Sequence, residues 1–155
     1  MTRKNYCNVK YILAFQDDVI KYMLAVSVGQ LDAETVTRAF VANIVLKSGT
    51  PRILQTHKGA NFISEVFRNT CKILKIKKIQ STVFHPESQG CIERSYRMLA
   101  EYLRHYVNED QTSWDEWIPF ATHEYHSTVH SYIGFTTLVF LFGRPHLTLR
   151  FKEAA

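Results

Sequence analysis

Glu93 is the carboxylate around which this sequence could do chemistry. It lies in His85–Asn108, HPESQGCIERSYRMLAEYLRHYVN. An ionised carboxylate can move a proton or hold a hard divalent cation. The plainer reading is structural: Glu93, Arg97, Glu101 and Arg104 line one helical stripe, with Glu93 and Arg97 at i,i+4 spacing for an ion pair. A second constellation, His123, His126 and His130, has a spacing that a helix could offer to a metal. No cysteine or fourth ligand stands near it, and the chain beyond Ser127 reads as loop, so structural or surface histidines are expected. A third, Lys72, Lys75, Lys77 and Lys78, could track phosphates or simply solvate a turn.

The elements that must position these residues alternate between strand and helix. Tyr11–Phe15 and Tyr22–Val28 are compact apolar runs joined by a short polar connection, which predicts an antiparallel hairpin. Asp32 caps a helix expected to run through about Lys47, with Val36, Ala39, Phe40 and Ile44 inward and Gly49 and Pro51 closing it. Arg52–Thr56 reads as a strand, about Ile63–Leu74 as a helix burying Phe67 and Cys71, and Ile79–Phe84 as the last strand. The breaker-rich His85–Gly90 reads as a loop, with Gly90 allowing a close backbone approach, and Ser88 as the N-cap of a long helix. That helix should bury Ile92, Tyr96, Leu99 and Leu103. A helix from Trp114 to about Ser127 contains Pro119, which should kink or delay it, and a short one from Thr136 to Phe142 stops at Gly143.

Composition bounds the function classes. The chain has 155 residues, enough for one domain with a sizeable core, and 46% of them are hydrophobic. No apolar run approaches the roughly 20 residues of a membrane span. MTRKNYCNVKYILAF has no small-residue cleavage site, so no export signal is read there. Three scattered cysteines (Cys7, Cys71, Cys91) suit a reducing compartment better than a disulfide framework. A net charge of +5 leans mildly towards a polyanionic partner.

Several segments in order carry a family resemblance: KYILAF with DDVIKY, AETVTRAF, GTPRILQTHKGANFISEVF, HPESQGCIERSYRML, YLRHYVNEDQTSWDEWIPFA and HSYIGFTTLVFLFGR. From Lys10 to about Arg144 the chain resembles the catalytic core of retroviral and long-terminal-repeat retrotransposon integrases, of the gypsy type in particular. The resemblance implies an α/β, RNase H-like fold with a mixed central sheet flanked by helices. It also implies DNA integration by polynucleotidyl transfer, with three carboxylates holding two Mg²⁺ (or Mn²⁺) ions.

Carried over residue by residue, the resemblance implies a depleted site. Glu93 matches the third carboxylate, in G-C-I-E-R. His57 stands in T-H-K-G where the family has the second aspartate, in T-D-x-G; thirty-five residues separate it from Glu93, as in the family. The first aspartate has no counterpart. Its strand, central in the family's sheet, would fall at or before Met1, leaving Tyr11–Phe15 and Arg52–Thr56 with open edges. Asp17 matches a position that the family does not use as a ligand. Glu87 replaces a usual glutamine, and Thr137 and Val139 replace a proline and a glutamate near the end. Metal holding is therefore expected to rest on Glu93 alone and to be weak, with no ion productively bound.

The implied partners are DNA, met by Lys58, Phe84, His85, Pro86, Glu87, Ser88, Gln89, Gly90, Arg94 and Arg97, and a second copy of the core. No membrane and no small-molecule substrate are expected. The chain is expected to be one core domain over 1–155, with a divergent start at 1–9 and a tail at 145–155, and to be intracellular, nuclear where it functions. The main expectation is an integrase core with impaired catalysis. The alternative is a non-enzymatic nucleic-acid-binding or dimerisation module retained by a host.

Overall fold

The computed structural model describes residues 9–57, 59–80, 86–107 and 113–144, with the backbone alone at 86–89, 91 and 92. Tyr11–Gln16 (β1) and Met23–Val28 (β2) pair as the expected antiparallel hairpin. Lys10 N–H donates to Val28 O at 3.1 Å and Asp17 N–H to Tyr22 O at 2.8 Å. Asp17 shapes the turn, its Oδ1 accepting from the N–H groups of Val19 and Ile20, both at 2.9 Å.

The helix Ala33–Phe40 (α1) is capped by Asp32. Its carboxylate accepts from the Thr35 N–H at 2.9 Å and the Thr35 hydroxyl at 2.6 Å, bonds that hold its pKa low. The helical course continues as expected, but widens into a π-helical turn, Val41–Val45, before Leu46–Ser48 (α2). It stops at Gly49, whose φ of +88° is a conformation that glycine adopts without cost. Ile53–Thr56 (β3) then runs parallel to Lys77–Gln80 (β4), with Ile53 opposite Lys77 and Thr56 opposite Gln80. Between them the single expected helix is two, Ala60–Ile63 (α3) and Glu65–Ile73 (α4). Ser64 divides them because its hydroxyl caps α4, accepting from the Phe67 N–H at 3.3 Å. β4 is the strand expected at Ile79–Phe84, shifted to an earlier start; residues 81–84 lie outside the described set. Among the described residues β1 has β2 as its neighbour and β3 has β4, and no strand joins the two sheets.

Pro86–Tyr106 (α5) corrects the expected loop. Residues 86–90 are helical, so Ser88 lies inside the helix and is not its N-cap. The physical reason is that proline is pre-set for the first helical position, where its missing N–H is not needed. Gly90 is exposed, and an added Cβ there would meet nothing within 4 Å. Farther on, Ser113–Trp117 is a turn and Ile118–Ser127 (α6) the helix, so Pro119 delays the helix as foreseen. Thr137–Phe142 (α7) is capped by Thr136 and ended by Gly143 at φ +66°. Among the described residues no helix is long and apolar enough to cross a membrane.

The chain divides into two compact units, Met1–Leu13 with Val26–Arg94, and Ala14–Ala25 with Ser95–Ala155. The core of the first is a row of rings: Phe40 lies 5.7 Å from Phe67, and Phe67 5.4 Å from Phe62. Val36, Phe40 and Phe67 are fully buried, and each such side chain contributes roughly 1.5–3 kcal/mol of burial. The second unit buries Leu99, Leu103, Ile118, Ala121, Tyr125 and Leu138 around a polar knot. There Gln16 Nε2 donates to Ser95 Oγ and to Tyr125 OH, both at 2.8 Å. Ser95 is buried for this reason, and the inward stripe of α5 is Ser95, Leu99 and Leu103. Tyr96, expected inside, is 40% exposed.

Candidate functional site

His57 follows the last residue of β3, so the strand end fixes its backbone. Its exposed ring turns back over its own loop: Nδ1 accepts from the Gly59 N–H at 2.8 Å, and the ring edge meets Phe62 at 4.8 Å and 83°. An Nδ1 that accepts a hydrogen bond carries no proton, so the neutral ring's proton sits on Nε2. Neither nitrogen then offers a lone pair outward. Gly59 makes the fold-back possible, since a Cβ there would come within 2.4 Å of His57 Cε1. Gly59 and Phe62 were not singled out from sequence, although the glycine two residues after His57 was the available signal. Beside His57, the hydroxyl of Thr56 is buried without a hydrogen-bond partner among the described residues.

Glu93 lies on α5, exposed to solvent. The i,i+4 pair with Arg97 does not form. The ion pairs among the described residues are Lys21–Asp18 at 2.9 Å and Arg38–Glu34 at 2.7 Å. Arg94 and Arg97 are also exposed on α5. Of the other expected DNA-contacting residues, Lys58, Phe84 and His85 lie outside the described set. Pro86, Glu87, Ser88 and Gln89 are placed on the first turns of α5 by their backbone, and Gly90 beside them.

The three histidines differ in their surroundings. His126, buried on α6, accepts the Met23 N–H on Nε2 at 3.1 Å and stacks on Tyr22 at 4.4 Å. Burial is the main cause that pushes its pKa down to about 4, and His130 and His123 add to it. His130 packs against Tyr125 at 4.5 Å, with its pKa lowered first by burial. His123 sits near Ser127, at 3.5 Å between Nε2 and Oγ. Among the described residues no three His, Cys, Asp or Glu side chains gather into a group that could hold a metal ion. Of the lysine cluster, Lys72, Lys75 and Lys77 are exposed, while Lys78 is half-buried, donating to Phe62 O and sitting 5.5 Å from the centre of the Phe67 ring.

Comparison with known proteins places this geometry. The chain is 33% identical over 138 residues to the retrovirus-related Pol polyprotein from transposon 412 of Drosophila melanogaster, covering 87% of this chain and 11% of that one. It is 28% identical over 145 residues to the Pol polyprotein of a radiation murine leukemia virus, covering 93% and 25%. The chain thus spans between about a tenth and a quarter of these relatives' lengths. No protein-family model matches it. Among solved structures it is similar to the catalytic core domain of BIV integrase, with a TM-score of 0.66 at 19% identity over 83% of this chain and 90% of that one. It is likewise similar to the HTLV-2 integrase catalytic core domain in complex with magnesium, in its trimeric form, with a TM-score of 0.63 at 16% identity over 82% and 89%. The fold is therefore RNase H-like. Sequence likeness and fold likeness converge on one conclusion: the chain is a relative of the Pol polyproteins of retroviruses and retrotransposons, with the fold of an integrase catalytic core.

Proposed function

We propose that this core, of the gypsy type, no longer performs polynucleotidyl transfer and retains weak, electrostatic contact with DNA. In the family such transfer relies on a carboxylate-held metal pair that activates the attacking oxygen. The donor set here does not fit that pair. The observation that carries this reading is His57: it stands at a carboxylate position, brings no negative charge, and spends Nδ1 on the Gly59 N–H. Turning the ring outward would cost that bond, about 1 kcal/mol. It would then present an imidazole, which suits Zn²⁺ or Mn²⁺ better than Mg²⁺. Without a carboxylate at position 57, the set lacks a hard, negatively charged ligand that a pair of dications needs.

The DNA-contacting part is supported by Arg94 and Arg97, exposed on α5 and in no ion pair among the described residues. With a net charge of +5, contact with only about 3–5 phosphates and a shallow dependence on salt are expected. Self-association is supported by Val66 and Ile73, 51% and 79% exposed at i and i+7 on α4, and by the description of an HTLV-2 integrase core in a dimeric form.

Repair of the site tests this function. In a protein that carries the family's first strand and its aspartate ahead of this core, joining of an oligonucleotide end to plasmid DNA with Mg²⁺ should be absent with His57 and appear with His57→Asp, and Glu93→Gln should remove it again. Joining by the protein that keeps His57 would refute the reading.

A further inference from the structure

A cleft between α4 and β4, inside the first unit, has no part in the site above. Its lining follows from two periodicities. Arg68, Cys71 and Lys72 sit at i, i+3 and i+4 on α4, and Ile76, Lys78 and Gln80 alternate along β4 and the residue before it. The cavity is about 420 Å³, within the size range of small-ligand sites. Three cations and an amide line it, and no carboxylate does. From Glu65 to Gln80 the chain has five cations and one acid, Glu65, which forms no ion pair with Arg68. The floor is neutral, because burial raises the Cys71 thiol pKa in spite of the opposing effect of Lys78. Lys78 is held in the cleft by its bond to Phe62 O and by the Phe67 ring. Burial is the first cause that lowers its pKa, and Arg68 lowers it further. Arg68 and Lys78 thus repel each other, and no carboxylate lines the cleft to offset them.

We infer that Arg68, Lys72 and Lys78, with Gln80 as a polar neighbour, form a binding site for adjacent phosphate groups, supplied by a free polyphosphate or by a nucleic-acid strand. A chain of phosphates can reach all three cations, and a guanidinium beside two ammonium groups suits its oxygens through charge-assisted bonds. The site does not depend on His57 or Glu93, so it stands or falls apart from the proposed loss of catalysis.

Calorimetric titration of the whole chain with sodium tripolyphosphate at low ionic strength tests it. The double variant Arg68→Gln/Lys72→Gln should weaken binding by at least about tenfold, the worth of one charge-assisted contact. Lys75→Gln/Lys77→Gln, which loses the same charge from residues outside the lining, should leave the affinity within about twofold. Both changes are at exposed positions and leave Lys78 and its bond to Phe62 intact. Competition with a thymidine oligonucleotide identifies the source: displacement assigns the site to a nucleic-acid backbone, and its absence to a free polyphosphate. No binding, or an equal loss in the two double variants, would overturn the site.

Discussion

Lowering the pH should loosen the second unit through His126. In the fold its Nε2 accepts the Met23 N–H, so the proton of the neutral ring sits on Nδ1, and Tyr22 and Tyr125 cover the ring. Protonation would turn Nε2 from an acceptor into a donor facing a donor. The pKa falls from an ordinary 6.5 to about 4. The unfolded chain therefore binds the proton first, and stability is lost as pH falls. The loss begins near pH 6.5, is complete near pH 4, and amounts to roughly 3 kcal/mol at 1.36 kcal/mol per unit. His130, lowered in the same direction, adds to the slope. Urea unfolding at half-unit steps from pH 4 to 7.5 reads this. His126→Gln should be less stable at pH 7 by about 1–2 kcal/mol, through lost ring packing, but its profile should be much flatter. Parallel profiles for the two proteins would refute the assignment.

Phe67→Ala, at the centre of the row of rings, should cost about 3–5 kcal/mol in urea unfolding. Thr56→Val removes a buried hydroxyl that has no partner among the described residues and should be neutral or stabilise by about 1 kcal/mol; a loss greater than that would mean the hydroxyl is satisfied. Arg94→Ala and Arg97→Ala should each weaken DNA binding equally across sequences and lower the slope of log affinity against log salt by about 1, measured by fluorescence anisotropy. Binding that is selective for sequence and survives high salt would contradict that.

Much of the fold was legible because its signals are local. The hairpin, the Asp32 cap, the stop at Gly49, the delay at Pro119 and the stop at Gly143 each depend on a few neighbouring residues. The start of α5 was not legible, because proline and glycine suit a loop as well as a first helical turn. Nor was the inward face of that helix. Tyr96 is the more apolar choice, but Ser95 is drawn inside by Gln16 and Tyr125, far away in sequence. In the candidate site, spacing and family pattern singled out His57 and Glu93. The ring's return onto Gly59 and Phe62 was not readable, since it depends on a backbone conformation that no motif spells out. The lysines of α4 and β4 stood out as a run, but that Lys78 turns inward while Lys77 does not needed the strand's register.

The most direct measurement is joining of a labelled oligonucleotide end to plasmid DNA by the unmodified chain, with Mg²⁺ or Mn²⁺, beside Glu93→Gln. A site that has lost its metal pair should leave the two indistinguishable, with no joined product from either. Metal-dependent joining by the unmodified chain that Glu93→Gln abolishes would show a working site and contradict the proposed loss of catalysis.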